Sequence, residues 1–205
     1  MRDVLAAGVR SVAVYERDGW VDRLLGFEAV VEDGPLPAGA VPYLPCGVAE
    51  ILAMVDEVPL GPDDELVDLG SGLGRVVILA HLLSGARARG VEIQQRLVRA
   101  AEDRCLALGL DGVSFVHANA ADIELDGSVF FLYSPFNGQM LAAVLRRMET
   151  VAQRRQIVVC TVGLELHDVP WLAPRPSTCP SLALYDSVCT ATDMRRWAVP
   201  TGAHR

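Results

Sequence analysis

The chain has few basic residues, no closely spaced cysteine pair and no long apolar run, and each shortage excludes a class of protein. Its 18 Lys and Arg residues are outnumbered by 26 Asp and Glu, which gives a net charge of −8. A nonspecific DNA or RNA surface needs a basic stripe, so this composition argues against a nucleic-acid partner. No continuous apolar run reaches the roughly 18–20 residues that cross a bilayer, which argues against a membrane protein.

Cysteine and histidine are too scattered for a disulfide framework or a metal site. The five cysteines contain no CxxC pair, and the four histidines show no ligand spacing to each other or to cysteine. We therefore expect no metal and a cytoplasmic, reducing location. The N-terminal stretch is mildly apolar, but Asp3 and Arg10 interrupt it, so we expect no signal peptide.

Half of the chain (51%) is hydrophobic, and 205 residues suffice for one domain with a substantial core. Strands and helices are predicted to alternate, which indicates an α/β, Rossmann-like fold with a mostly parallel sheet and helices on both faces. The predicted strands are 65–69, 87–92, 113–116, 128–133 and 156–162, and the predicted helices are 73–84, 94–108 and 138–153. After these elements, segments 181–188 and 194–199 are predicted to form an antiparallel C-terminal pair.

The N-terminal segment 1–60 is predicted to form a helical cover over an α/β core that spans 61–205, within one compact domain. Segment 32–40 is a loop by its glycine and proline content. Pro45 suits the first turn of a cover helix, because the apolar residues that follow share one face. Those residues are Val48, Ile51, Leu52 and Val55.

The most informative stretch runs from Glu65 to Arg75 and reads ELVDLGSGLGR. An apolar strand carries Asp68 near its end, a glycine-rich turn follows, and a helix leads to a second strand that ends in Glu92. Amides at a helix start attract a carboxylate or phosphate, and the second acid can accept from ribose hydroxyls. The pattern is typical of a nucleoside-cofactor site. The predicted contacts in the turn are Gly70, Ser71, Gly72 and Gly74.

The glycine spacing separates two cofactors. A dinucleotide site needs G-x-G-x-x-G, and the third glycine would fall on Arg75 here. The spacing G-x-G-x-G, with Asp68 two residues before the first glycine, favours S-adenosyl-L-methionine. The polar tail of that cofactor is an amino acid rather than a diphosphate. A nicotinamide-dependent reductase is an alternative with the same fold.

Residues after the later strands are predicted to complete the site. Ile93 follows Glu92 and is expected to pack on the adenine face. Asn119, beside Ala120, is expected to accept from the adenine amino group, with Asp122 as the alternative. Ser134 lies in a proline-stiffened turn after the fourth strand, where the reactive methyl group is expected.

Two residues are candidates for a catalytic role. Tyr133 precedes the proline turn, and its aromatic face would favour a sulfonium charge, although a plain core aromatic also fits. His167 follows the fifth strand and would suit a general base near neutral pH. Alternative bases near that strand or in the cover are Glu165, Asp168, Tyr15 and Glu16.

Residues 42–136 resemble a class I S-adenosylmethionine-dependent methyltransferase. More narrowly, Tyr43-Leu-Pro45-Cys46, the block DLGSGLGR and the GVE that ends at Glu92 are similar to short microbial relatives of the non-SET histone-lysine methyltransferases. The resemblance implies a cofactor-contacting loop from Tyr43 to Cys46. This chain departs from the pattern at two positions, because Cys46 replaces a threonine and Asn119 replaces the usual aspartate.

The resemblance and the glycine spacing together predict an S-adenosylmethionine-dependent methyltransferase. Its acceptor is expected to be a small molecule or a protein side chain. The alternative is a catalytically inactive S-adenosylmethionine-binding partner subunit, of which Cys46 and Asn119 would be the traces.

Overall fold

The computed structural model describes residues 2–27 and 34–188 as a seven-stranded sheet with six α-helices and one short 3₁₀ turn at Val14–Glu16. The helices are α1 (Arg2–Ser11), α2 (Arg17–Leu25), α3 (Val48–Glu57), α4 (Arg75–Ser84), α5 (Gln95–Leu108) and α6 (Gly138–Ala152). The strands are β1 (Glu65–Leu69), β2 (Arg87–Glu92), β3 (Val113–His117), β4 (Val129–Tyr133), β5 (Val158–Val162), β6 (Leu172–Arg175) and β7 (Leu182–Ser187). Within these two ranges, every helix is too short or too polar to cross a membrane.

The strand order explains where a ligand can bind. The order is β3-β2-β1-β4-β5-β7-β6, in which β1 to β5 are parallel and β7 runs antiparallel between β5 and β6. The order reverses between β1 and β4, and ligands of such sheets bind outside the carboxyl ends of the strands at that point. The predicted Rossmann-like sheet with its antiparallel C-terminal pair is confirmed.

Two apolar cores hold the helices to the sheet, because successive strand side chains point to opposite faces. On one face, Leu66 and Phe131 pack in a core that also receives α1 to α5. On the other face, Phe130 packs with Val144 and Met148 of α6. Helices α1 and α2, from the segment predicted to form a cover, therefore share a core with α4, the helix that follows the glycine turn.

One detail of the sequence prediction was wrong, and the observed partner of one C-terminal strand was not expected. Helix α3 begins at Val48 with Gly47 as its N-cap, so Pro45 lies before the helix. Strand β7 was expected, but it pairs with β6, while segment 194–199 lies outside the described residues. Strand β6 was not predicted from the sequence, because it contains Pro174. An edge strand tolerates proline because its outer side needs no N–H donor.

Candidate functional site

A cavity opens at the carboxyl ends of β1, β2 and β4, where the sequence motif places its acids. It contains about 900 Å³ of space, including solvent at its mouth. Five separate segments of the chain bring predicted site residues to its wall. These residues are Tyr43, Cys46, Asp68, Gly70, Ser71, Glu92, Ile93, Asn119, Ala120, Tyr133 and Ser134.

The glycine turn between β1 and α4 is packed tightly against other parts of the protein. The N–H of Gly70 donates to the carbonyl of Val91 at 2.8 Å. Gly70 and Gly72 have positive φ angles of 89° and 53°. A Cβ at Gly70 would overlap Pro135, and one at Gly72 would overlap the ring of Tyr43. Glycine is therefore required by the backbone conformation and by neighbouring side chains, and not only by a ligand.

Two of the predicted turn contacts, Gly72 and Gly74, are not among the residues that line the cavity. Gly74 is the N-cap of α4 with a φ of 81°, and a Cβ there would overlap the ring of Phe115. The N–H of Gly72 donates a hydrogen bond to the Glu92 carboxylate. Both glycines shape the turn, and their direct contact with a cofactor stays a prediction.

Glu92 ends β2 with its carboxylate fixed by two backbone amides. The N–H of Gly72 donates to Oε2 at 2.9 Å, and the N–H of Gln94 donates to Oε1 at 2.8 Å. Glu92 is 6% exposed and lines the cavity. Each carboxylate oxygen has a further lone pair, so this group is held in place and can still accept from a ligand hydroxyl.

Two polar side chains of the turn lie in the cavity wall without a protein partner. Asp68 is 2% exposed, and no hydrogen bond or ion pair reaches its carboxylate from the described residues. The Ser71 Oγ is buried and also unpaired among these residues. Burial, and then the charge of Glu92, raises the pKa of Asp68 well above its usual value. Buried polar groups are nearly always hydrogen-bonded, so Asp68 and Ser71 are suited to a polar ligand.

Arg75 is a buried cation at the start of α4 whose importance the sequence analysis missed. Its side chain is 6% exposed and lines the cavity. The guanidinium donates to Asp18 at 2.8 Å, to the Cys46 carbonyl at 2.9 Å, and to Asp22. Both aspartates belong to α2, 57 and 53 residues away along the chain. Local sequence patterns therefore carry no signal for this contact between the cover and the glycine turn.

Residues 34–47, which we call the strap, cross the cavity before α3 begins. The N–H of Gly34 donates to the side-chain oxygen of Gln94 at 2.7 Å, and the N–H of Val41 donates to the Pro135 carbonyl at 3.1 Å. The strap residues in the cavity wall are Leu36, Ala40, Val41, Pro42, Tyr43, Leu44 and Cys46. Of these, the family resemblance implied the loop from Tyr43 to Cys46, whereas Leu36, Ala40, Val41 and Pro42 were not expected there.

The predicted adenine contact, Asn119, is engaged in local hydrogen bonds. Its Nδ2 donates to the carboxylate of Asp122 at 2.8 Å, and its Oδ1 accepts from the N–H of Ala121 at 3.0 Å. Asn119 lines the cavity together with Ala120 and Ile93. Since an amide oxygen has two lone pairs, the adenine contact stays a prediction.

The turn after β4 has an unusual backbone at Ser134, whose φ is 38°. Among the non-glycine residues that the structure describes, Ser134 alone has a positive φ. Its hydroxyl donates toward the carbonyls of Val162 and Gly163 at the end of β5, at 3.0 and 2.6 Å. The Ser134 hydroxyl therefore ties β4 to β5, while the residue lines the cavity beside Tyr133.

His167, the candidate general base, is not among the residues that line the cavity. Its side chain is 60% exposed, with Nε2 3.4 Å from Glu165, and its ring packs edge-on against Tyr185 at 6.0 Å. The segment after β5 turns toward the second core, where Leu166 is buried. The structure therefore does not bring His167 to the cavity wall, and its role as a general base stays a prediction.

Comparison with known proteins gives one family match and several similar folds. The model of the family described as "Histone methylation protein DOT1" matches residues 47–111, about a third of the chain. That region includes α3, the glycine turn and Glu92. No curated protein sequence matches this chain.

Solved structures show the same fold at low sequence identity. An RNA methyltransferase from Salinibacter ruber, in complex with S-adenosyl-L-homocysteine, is 22% identical with a TM-score of 0.57, over 74% of this chain and 97% of its own. A mutant of MtNAS in complex with S-adenosylmethionine is 16% identical with a TM-score of 0.54, over 90% and 70%. Geranyl diphosphate C-methyltransferase from Streptomyces coelicolor A3(2) is 22% identical with a TM-score of 0.46, over 55% and 45%. The two of these structures with TM-scores above 0.5 share the Rossmann-like fold of this chain.

Proposed function

We propose that the protein is an S-adenosyl-L-methionine-dependent methyltransferase and that the cavity is its cofactor site. Asp68 and Ser71 carry this proposal, because both are buried in the cavity wall and neither has a partner among the described residues. An amino-acid tail offers an ammonium group to Asp68, while its carboxylate suits the start of α4. Glu92 is fixed where it can accept from ribose hydroxyls.

The charge of the cavity favours this cofactor over a dinucleotide. Asp68 and Glu92 both line the wall, and a diphosphate would bring further negative charge toward these two carboxylates. Arg75 carries the nearby positive charge, but Asp18 and Asp22 already engage its guanidinium. A nicotinamide-dependent reductase with the same fold is therefore the less well supported hypothesis.

The residues of the cavity are suited to alignment rather than to proton transfer. When bound, S-adenosyl-L-methionine supplies an activated methyl group, so the protein mainly has to orient the acceptor and exclude water. Burial raises the pKa of the Cys46 thiol and of the Tyr133 hydroxyl, so both are protonated near neutral pH. Neither group can act as a general base there, but the Tyr133 hydroxyl can donate or accept a hydrogen bond.

The acceptor is proposed to be a small molecule or a protein side chain. The strap and the β4 turn supply a mostly apolar part of the cavity wall, formed by Leu36, Val41, Leu44, Phe136 and Met140. The net charge of −8 argues against a nucleic acid. We also propose that segment 1–60 acts as a cover for the core 61–205. A cytoplasmic location is proposed because the described cysteines are unpaired.

Two measurements test the function. Calorimetric titration should show S-adenosylhomocysteine binding in preference to NADH, and preferential NADH binding would overturn the cofactor assignment. Incubation with methyl-labelled cofactor and cell extract should then place label in a protease-sensitive or a filterable fraction. Tight cofactor binding with no label in any fraction would favour the inactive partner subunit.

A further inference from the structure

Two arginines fasten helix α2 to the glycine turn from different helices of the core. Arg75 opens α4 and engages Asp18 and Asp22, as described above. Arg104, in α5, donates to the carbonyl of Gly26 at 2.8 Å and to the carbonyl of Leu73 at 3.1 Å. Leu73 lies within the glycine turn, and Gly26 is the C-cap of α2. Both attachments of α2 therefore end at the segment that forms the cofactor side of the cavity.

Phe27 joins the two arginines at the end of α2. Its ring centroid lies 4.2 Å from the guanidinium carbon of Arg104 and 5.9 Å from that of Arg75. These distances fall within the range of cation–π contacts. Phe27 is 9% exposed, so its ring is a buried surface against which both guanidinium groups pack.

Arg75 also connects α2 to the strap and to α3. Its guanidinium donates to the Cys46 carbonyl at the end of the strap. The same Oδ1 of Asp18 that accepts from Arg75 also accepts from the N–H of Val48, at 2.9 Å, where α3 begins. The Nε of Arg75 is buried without a partner among the described residues. The contacts with α2 therefore fix the position of the Arg75 side chain, although they leave its Nε–H without a hydrogen-bond partner among the described residues.

We propose that Arg75 is a positioning residue through which cofactor binding and the docking of α2 are coupled; this rests on the function proposed above. If α2 moved away, Arg75 would lose both carboxylates while still lying in the cavity wall. An uncompensated buried charge is strongly unfavourable, so a displaced α2 requires the Arg75 side chain and the start of α4 to rearrange. Because coupling between two equilibria is reciprocal, a ligand that binds against the wall stabilises docked α2 by the same factor.

The coupling predicts that a ligand in the cavity protects α2, although α2 itself does not contact the ligand. No residue of α2, all of which the structure describes, lines the cavity. S-adenosylhomocysteine should nevertheless slow amide hydrogen exchange in α2 of the wild-type protein. Asp22→Asn removes one carboxylate from Arg75 without touching the cavity wall, and it should weaken S-adenosylhomocysteine binding about fivefold. It should also remove most of the ligand-induced protection of α2.

The matched control is Asp56→Asn, which breaks a second ion pair of the cover. Arg10 and Asp56 join α1 to α3 at 2.7 Å, both are about half exposed, and neither contacts Arg75. This variant should bind S-adenosylhomocysteine within twofold of wild type and keep the protection of α2. An Arg75→Lys variant combined with Asp22→Asn should be no weaker than the worse single variant, because both changes break the same link.

Three results would overturn the inference, and they differ from failure of the proposed function. If Asp22→Asn kept wild-type affinity and wild-type protection of α2 from hydrogen exchange, the Arg75–Asp22 ion pair would be uncoupled from the cavity. A lower melting temperature with unchanged affinity would show a purely structural role. Absence of ligand-induced protection in wild-type α2 would exclude the coupling altogether. Absence of S-adenosylhomocysteine binding to wild type would instead overturn the proposed function.

Discussion

The two sides of the cavity are built in different ways. The turn side, defined by Asp68, Ser71 and Glu92, is polar, and each of these residues is at most 6% exposed. The strap side, defined by the strap and the β4 turn, is mostly apolar, and Leu44 and Val41 there are 63% and 41% exposed. A site with fixed polar groups on one side and an open apolar wall on the other suits two different ligands. The polar groups suit the proposed cofactor, and the apolar wall suits the proposed acceptor.

The difference follows from how each side is held. The turn side is fixed by short-range geometry of the parallel sheet, in which the N–H of Gly72 reaches Glu92 from the neighbouring strand connection. The strap side depends on contacts between distant segments, such as the antiparallel bridge between Ala40 and Phe136. In this bridge the N–H of Val41 donates to the Pro135 carbonyl and the N–H of Asn137 donates to the Gly39 carbonyl. Changes to the polar groups of the turn side should therefore affect cofactor affinity strongly. Changes to groups of the strap side that do not pack against the glycine turn should mainly affect turnover.

The largest effect is expected for Gly72→Ala. The added Cβ would overlap the ring of Tyr43, and the φ of 53° would strain an L-residue, so the turn and the strap cannot both keep their positions. We expect S-adenosylhomocysteine affinity to fall about a hundredfold, which corresponds to about 2.8 kcal/mol. Isothermal titration calorimetry measures this change.

Gly109→Ala is the matched control for backbone strain. Gly109 has a φ of 64° at the end of α5, and a Cβ there would meet nothing within 4 Å. This variant should have a lower melting temperature and unchanged affinity. Equal loss of affinity in both variants would mean that strain alone, and not the contact with Tyr43, weakens binding.

The second effect is expected for Asp68→Asn. The neutral amide cannot attract the ammonium group of the cofactor tail, so affinity should fall about tenfold at pH 8. In the wild type, affinity should also fall as the pH is lowered through the raised pKa of Asp68, because the carboxyl group becomes neutral. The variant should show no such dependence, and calorimetry across the pH range distinguishes the two proteins.

Stability should change in the opposite direction to affinity for the same variant. Because the pKa of Asp68 is higher in the folded than in the unfolded chain, folding stability falls as the pH rises between these two values. Above that window the wild type retains a buried, unpaired carboxylate, and Asp68→Asn does not. The unliganded variant should therefore melt no lower than wild type at pH 8, and a clearly lower melting temperature would contradict this account.

The same division explains how much of the site could be predicted from the sequence. Asp68, the glycine turn and Glu92 are close together in a strand–turn–helix–strand unit, and their pattern predicts both the fold and the place of the cavity. The strap could not be placed, because its glycines and prolines specify a loop but not what it contacts. Arg75 was missed because its partners lie in α2, and a single arginine gives no periodic signal.

On the strap side, Tyr133→Phe should separate turnover from binding. The substitution removes the hydroxyl of a residue that lines the cavity and keeps the ring. We expect about fivefold slower release of S-adenosylhomocysteine from the methyl donor in the presence of extract, with cofactor affinity within twofold of wild type. Unchanged turnover would show that the hydroxyl does not orient the acceptor, and a parallel loss of affinity would place it on the cofactor instead.

The smallest effect is expected for His167→Ala, although sequence reasoning made His167 the candidate base. The ring is exposed and packs against Tyr185 and near Glu165, outside the cavity wall. Turnover and cofactor affinity should both stay within twofold of wild type from pH 6 to pH 9, because removing a group that does not reach the reacting atoms leaves their alignment intact. A tenfold loss of turnover without loss of affinity would mean that the segment after β5 moves toward the strap side during the reaction. Such a result would mean that the strap side gains a general base during the reaction, and the two sides would then no longer differ as described above.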